Sequence, residues 1–224
     1  AMTRMIKESF WYDGKIMECG LPRNDIFFAV SAEQKEKIKT ALGVEQDTKL
    51  VLYAPTFRDD GSMDAYSLDC LAVLEKLRGR GEDWRLLTRL HPNVADVKDL
   101  FPKNEYIMNA TRYPDMQELL MVSDILITDY SSTPAEFVTM EKQVYIYAPD
   151  VVAYQQLRGL KEDFFTSPYP VNITNEQLLE QMDRYTPEYA VEQARAYMAY
   201  SGSTDKGDAA KKVVAHMEQV IGHL

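Results

Sequence analysis

The chain has 224 residues, 46% of them hydrophobic, enough to bury the core of one large α/β domain or of two small ones. Its 25 Lys and Arg stand against 35 Asp and Glu, a formal net charge of −10, so the basic footprint that generic nucleic-acid binding needs is missing. No apolar run approaches the ~18 residues of a membrane span, and the three histidines and two cysteines lack metal-ligand spacing.

In chain order, residues 3–12 are polar and aromatic, and a first strand is expected at about 15–19. Ser31 heads a helix over 32–42, with Gln34 placed for a capping box and Gly43 placed as a stop. A strand over 49–54 runs into Pro55, an irregular stretch occupies 59–67, and a helix over 68–80 is ended by Gly79 and Gly81. A strand at 85–90, a short helix near 94–100 and a strand around 106–108 follow. Then come a helix at 115–122, a strand at 125–128, helix over 134–140, a strand at 143–147 and a helix over 150–157. Residues 160–171 are irregular. Helices fit 176–185, 188–200 and 208–221, punctuated by Pro187 and the 202–207 loop. Six strands joined by crossover helices predict a mainly parallel α/β sheet. Cys19 and Cys70 are expected as reduced, buried thiols.

The stretch Ser123-Asp-Ile-Leu-Ile-Thr-Asp-Tyr-Ser-Ser-Thr-Pro-Ala-Glu-Phe137 reads as a buried strand that breaks into a hydroxyl-rich turn and opens a helix. Ser131, Ser132 and Thr133 supply hydroxyls, and Pro134 fits the first helical turn, where its missing N–H costs nothing. Such a helix start points N–H groups beyond the carboxyl end of a strand, where open α/β sheets bind ligands, and it suits a phosphate or pyrophosphate. Taken alone such a turn is more often merely an N-cap, and the segments around it are what turn the reading toward an anion site. Two other segments bring polar groups to the same sheet edge. Thr56 and Arg58 follow the strand of Lys49-Leu-Val-Leu-Tyr-Ala-Pro-Thr-Phe-Arg58, the arginine offering a planar fork to phosphate oxygens. In Trp84-Arg-Leu-Leu-Thr-Arg-Leu-His-Pro92 the spacing of two places Arg89 and His91 on one side of an extended strand.

The set Gly20-Leu-Pro-Arg-Asn-Asp25, Tyr53-Ala-Pro-Thr-Phe-Arg58, Arg89-Leu-His-Pro92, Tyr113-Pro-Asp115, the 123–132 stretch and Leu157-Arg-Gly159 resembles the CDP-glycerol glycerophosphotransferase family of teichoic acid polymerases and primases, over roughly residues 15–220. The resemblance implies a GT-B fold: residues 1–224 as a single Rossmann-like donor-nucleotide-binding domain, with 1–14 an extension or linker and 175–224 a helical C-terminal part. An acceptor domain is expected upstream in the natural protein. It further implies transfer of glycerol phosphate from CDP-glycerol to a teichoic-acid or related polymer acceptor with release of CMP, no cofactor and no metal, and a cytoplasmic setting at the membrane's inner face. The chain alone is expected to bind donor without completing transfer. Under this resemblance Arg58, Arg89 and His91 serve the growing charge on the leaving phosphate. Thr56, Asn109, Tyr113, Asp129, Ser131, Ser132, Thr133, Glu136 and Arg158 bind substrate, Glu136 at the ribose hydroxyls and Tyr113 at the cytosine. Ser201-Gly-Ser-Thr-Asp-Lys-Gly-Asp208 departs from the family's Asp-Gly turn near the C-terminus. A GT-B glycosyltransferase or epimerase using a UDP-sugar shares the fold and is the alternative reading; a non-catalytic nucleotide-binding module is the third.

Overall fold

A computed structural model describes residues 2–59, 61–91, 94, 100–160 and 164–222. Helix α1 (Met2–Ser9) and a 3₁₀ segment (Pro22–Phe28) precede α2 (Ala32–Leu42) and β1 (Lys49–Tyr53). The chain continues through α3 (Cys70–Arg78), β2 (Trp84–Thr88), β3 (Ile107–Asn109), α4 (Met116–Val122) and β4 (Ile125–Thr128). After these come α5 (Thr133–Phe137), β5 (Gln143–Tyr147), α6 (Val151–Arg158), β6 (Val171–Asn172), α7 (Asn175–Met182), α8 (Pro187–Ser201) and α9 (Ala209–Ile221).

Side chains set the helix boundaries. Ser31 accepts the Gln34 N–H while the Gln34 side chain accepts the Ser31 N–H, and Gly43 closes α2 in the left-handed region. Asp115, Thr174 and Thr186 accept N–H groups in the first turns of α4, α7 and α8. Pro187, read as punctuation, is the first residue of α8, where its fixed φ helps the helix begin.

The sheet order is β3-β2-β1-β4-β5-β6, with every neighbouring pair parallel. Alternate residues feed two cores. Leu50, Leu52, Leu87, Leu126, Val144 and Ile146 pack with Ile38 of α2, Leu119 of α4, Phe137 of α5 and Ala194 of α8. Val51, Tyr53, Trp84, Leu86, Ile127 and Tyr145 pack on the other face with Leu74 and Leu77 of α3 and Leu178 and Met182 of α7. Each such fully buried side chain contributes ~1.5–3 kcal/mol, which is why strands apolar on both faces end up between two helical layers.

Three expectations are corrected. Residues 15–19 form no strand: Cys19 is buried, but the chain there runs against the C-terminal loop, where the Leu21 N–H donates to Asp205 Oδ1 at 2.9 Å. The sixth strand is instead β6, two residues at the end of a stretch read as irregular and too short to show a period. The second strand ends at Thr88 opposite Tyr53, so Arg89 and His91 lie beyond the ladder and a strand's alternation does not govern them. The helix read over 134–140 is α5 followed by a 3₁₀ turn (Val138–Met140), which Glu141 ends at φ 55°. The short helix read near 94–100 lies mostly outside the described residues.

Both cysteines are free and buried, and burial pushes the Cys70 thiol up to about 12. Among the described residues no helix is long and apolar enough to cross a membrane. The chain steps outward from β1 to β2 and β3, then returns to place β4 on the other side of β1. That reversal opens a crevice outside the carboxyl ends of β1 and β4.

Candidate functional site at the topological switch point

The two strand ends that flank the crevice carry the two strongest sequence segments. Beyond β1 the Ala54 N–H still bonds to Ile127 O at 2.9 Å, and the Thr128 hydroxyl donates to Ala54 O at 2.6 Å. One carboxylate then joins the loops: Asp129 Oδ1 accepts the N–H of Thr56 at 2.8 Å and of Tyr130 at 2.7 Å. Asp129 is 3% exposed, and its other oxygen receives Arg58 Nη2 at 2.8 Å.

Arg58 was expected to offer its fork to a phosphate. Every one of its three nitrogens donates inside the protein: Nε to Asp150 Oδ2 at 2.7 Å, Nη1 to the Thr56 carbonyl, and Nη2 to Asp129 and to Asp150 Oδ1 at 3.0 Å. The guanidinium is 5% exposed and lies 5.0 and 5.1 Å from the rings of Tyr130 and Tyr154, which stack with centroids 3.6 Å apart. The Tyr130 hydroxyl donates to Asp150 Oδ1 at 2.8 Å. Burial works to lower the Arg58 pKa, but the hydrogen bonds and charges of Asp150 and Asp129 outweigh it and leave the guanidinium more firmly protonated. Burial likewise works to raise the Asp150 carboxyl, and the bonds from Arg58 and Tyr130 hold it below its ordinary value. The sequence reading sets Asp150 with Arg158, at the cleft or in an ion pair, and does not name Tyr154; Asp150 lies in the cluster, but its partner is Arg58, 92 residues away.

Ser131, Ser132 and Thr133 open α5 beside this cluster. Ser131 Oγ accepts the Thr133 N–H at 3.2 Å and makes a 2.9 Å bond with the Thr133 hydroxyl, while exposed Ser132 occupies the cap position without a side-chain capping bond. Pro134 stands in the first turn as expected. A cavity of about 220 Å³ beside the turn is lined by Asp129, Tyr130, Ser131, Pro134, Phe164 and Tyr200, among others.

On the other flank, Arg89 Nη1 donates to the carbonyls of Ala110, at 3.1 Å, and Thr111. The Leu90 N–H donates to the Thr111 hydroxyl at 3.1 Å, so the segment after β2 is tied to the loop after β3. Exposed His91 lies against Phe57, ring centroids 5.0 Å apart, which sets it next to the loop carrying Thr56 and Arg58. Asn109 folds its side-chain oxygen onto the Thr111 N–H at 2.9 Å. Tyr113 donates its hydroxyl to Glu118 Oε2 at 2.6 Å, and burial followed by that bond pushes its pKa up to about 12.

Glu136 is buried on α5 at 4% exposure, not an exposed helix acid. Its Oε1 accepts Arg23 Nη2 at 2.6 Å and its Oε2 accepts Gln117 Nε2 at 3.3 Å. Arg158 pairs with Asp59, both half exposed, while Asp150 pairs with Arg58. The structure thus gathers Thr56, Arg58, Asp129 and Ser131 to Thr133 at the crevice, with Arg89, His91, Asn109 and Tyr113 on one flank. Arg158 stands apart from the ion cluster.

A family model described as CDP-Glycerol:Poly(glycerophosphate) glycerophosphotransferase matches residues 1–219. The chain belongs to this family. A teichoic acid poly(glycerol phosphate) polymerase of Bacillus spizizenii is 31% identical over 98% of this chain and 57% of its own length. A teichoic acid glycerol-phosphate primase of Bacillus subtilis is 34% identical over 74% of this chain and 42% of its own. The chain therefore spans about half the length of such family members. The solved wall teichoic acid polymerase TagF superposes with a TM-score of 0.80 at 28% identity, covering 99% of this chain and 56% of that one. A UDP-GlcNAc 2-epimerase from Neisseria meningitidis reaches a TM-score of 0.57 at 16% identity over 89% of this chain and 54% of that one, a likeness of fold alone. The Rossmann-like α/β sheet expected from the family is the sheet observed.

Proposed function

We propose that this chain is the donor-binding half of a CDP-glycerol glycerophosphotransferase, whose whole protein moves glycerol phosphate from CDP-glycerol to a teichoic-acid or related polymer and releases CMP. The observation that carries the reading is the meeting, at the β1/β4 switch point, of the family's two strongest segments, joined through Asp129. A TagF variant has also been solved after soaking in CDPG. In the transfer, negative charge grows on the phosphate that leaves with CMP, and preorganised donors must meet it. The first turn of α5, with Ser131, Ser132 and Thr133, supplies N–H and hydroxyl groups on one side. Arg89 supplies a cation on the other, with His91 as hydrogen-bond donor or acid. Arg58 acts from behind: it holds Asp129 and Asp150, and through them the two loops that receive the pyrophosphate. Glu136 accepts the ribose hydroxyls, while Asn109 and Tyr113 form the wall for cytosine. Residues 1–224 form one such domain, and the polymer acceptor is held by a second domain outside this chain. The enzyme works at the cytoplasmic face of the membrane.

Calorimetric titration of the chain with CDP-glycerol, CMP, UDP and UMP tests the reading. Cytidine compounds should bind and compete with one another. Binding of UDP or UMP with no response to CDP-glycerol or CMP at millimolar concentration would replace it with the UDP-sugar alternative.

A further inference from the structure

The segment Gly20-Leu-Pro-Arg-Asn-Asp25 has no task in the reading so far, yet it is tightly framed. Asp205 Oδ1 accepts the Leu21 N–H at 2.9 Å and Asn24 Nδ2 at 3.2 Å, and Asp25 accepts the N–H groups of Ala209 and Ala210 at 3.0 and 2.7 Å, at the start of α9. Gly20 turns at φ +88° with Asp205 packed against it, a conformation only glycine adopts at low cost. Between these anchored neighbours, Arg23 reaches across to α5 and meets Glu136, 113 residues away, at 2.6 Å.

We propose that Arg23 is a positioning residue that makes Glu136 selective for ribose over deoxyribose; the inference rests on the reading that Glu136 meets the donor's sugar. An ionised carboxylate has about four lone-pair sites. Among the described residues Arg23 takes one on Oε1 and Gln117 a weaker one on Oε2, which leaves acceptor capacity on each oxygen, the pattern that matches two vicinal hydroxyls. The short bond from the Arg23 guanidinium is charge-assisted and directional, so it fixes which way the buried carboxylate of Glu136 faces. Gln117 bonds at 3.3 Å and cannot fix the group alone. The Arg23 side chain is 56% exposed and contributes little packing of its own, but its loss strands the buried Glu136 carboxylate, and melting curves measure that cost separately from binding.

The test is binding of CMP, 2′-deoxy-CMP and 3′-deoxy-CMP to the chain and to its Arg23→Met and Arg23→Lys variants, with melting curves beside each. The wild-type chain should prefer CMP to either deoxy compound by about tenfold or more, as a charge-assisted hydrogen bond requires. Arg23→Met should bring that ratio below about threefold while the deoxynucleotides bind as before, and Arg23→Lys should restore part of it. A wild-type chain that does not distinguish the three nucleotides would overturn the ribose role of Glu136 and this proposal with it. Discrimination retained in Arg23→Met would overturn the proposal while leaving Glu136 in place. Equal weakening of all three nucleotides in Arg23→Met would make Arg23 a phosphate ligand instead, and would also overturn it.

Discussion

Replacing Arg58 by alanine separates a phosphate ligand from an internal lock. The guanidinium is 5% exposed and donates from all three nitrogens to Asp129, Asp150 and the Thr56 carbonyl. Its loss leaves Asp129, 3% exposed, and Asp150 as neighbouring carboxylates with no cation between them. Breaking a buried pair in this way costs about 3–5 kcal/mol, because the stranded charge has lost both water and partner. At about 2–4 °C per kcal/mol for a chain of this length, the melting temperature should fall by about 10 °C. Nucleotide affinity should fall too, since Asp129 also receives the N–H groups of Thr56 and Tyr130 on the two loops facing the crevice. Arg58→Lys keeps the charge but not the fork and should lose about half as much. Urea and thermal unfolding, paired with CMP titration of each variant, read both effects. An Arg58→Ala chain with wild-type melting behaviour and at least tenfold weaker CMP binding would refute the lock and return Arg58 to the phosphate.

Arg89→Ala should weaken CMP binding by about tenfold or more, the loss of one charge-assisted hydrogen bond, and lower the melting temperature less than Arg58→Ala, since its side chain is only partly buried; titration beside a melting curve checks both. The Asp150 carboxyl is held below its unfolded value, so its stabilising effect is fully present above a pH of about 4 and is lost as pH falls through its depressed folded value. The gap in urea midpoint between the wild-type chain and Asp150→Asn should therefore close below pH ~4, and a gap that widened there would contradict the assignment. Gly207 turns at φ +76°, and a Cβ there would stand 2.6 Å from Phe28 Cβ, so Gly207→Ala should destabilise the chain by about 1–3 kcal/mol in urea unfolding without changing CMP affinity.

Most of the sheet was legible because its strands are short apolar runs punctuated by Pro, Gly and hydroxyl caps. Ser31 with Gln34 and Gly43 marked α2 to the residue, since a capping box and a left-handed stop are local chemistry. Residues 15–19 misled because Ile16, Met17 and Cys19 lie close together in a short segment and read as a strand, whereas β6 is placed by pairing with β5 and its two residues carry no period of their own.

The site was legible in composition and only partly in wiring. A strand end followed by Thr56 and Arg58, and another followed by Asp129 and three hydroxyl residues, announced a polar edge once a mainly parallel sheet was expected. What each polar group bonds to depends on contacts across the fold. Arg58 meets Asp150 over 92 residues and Arg23 meets Glu136 over 113, distances at which spacing along the chain says nothing. Burial then decides the role. A guanidinium with every nitrogen engaged and almost no exposed surface cannot also wrap a phosphate without giving up a carboxylate, and losing that bond inside the protein costs more than a phosphate contact at an open crevice returns. On the proposed reading the cation that meets the donor is therefore Arg89, nearer the rim, with His91 beside it as a hydrogen-bonding group, while Arg58 fixes the loops on which they act.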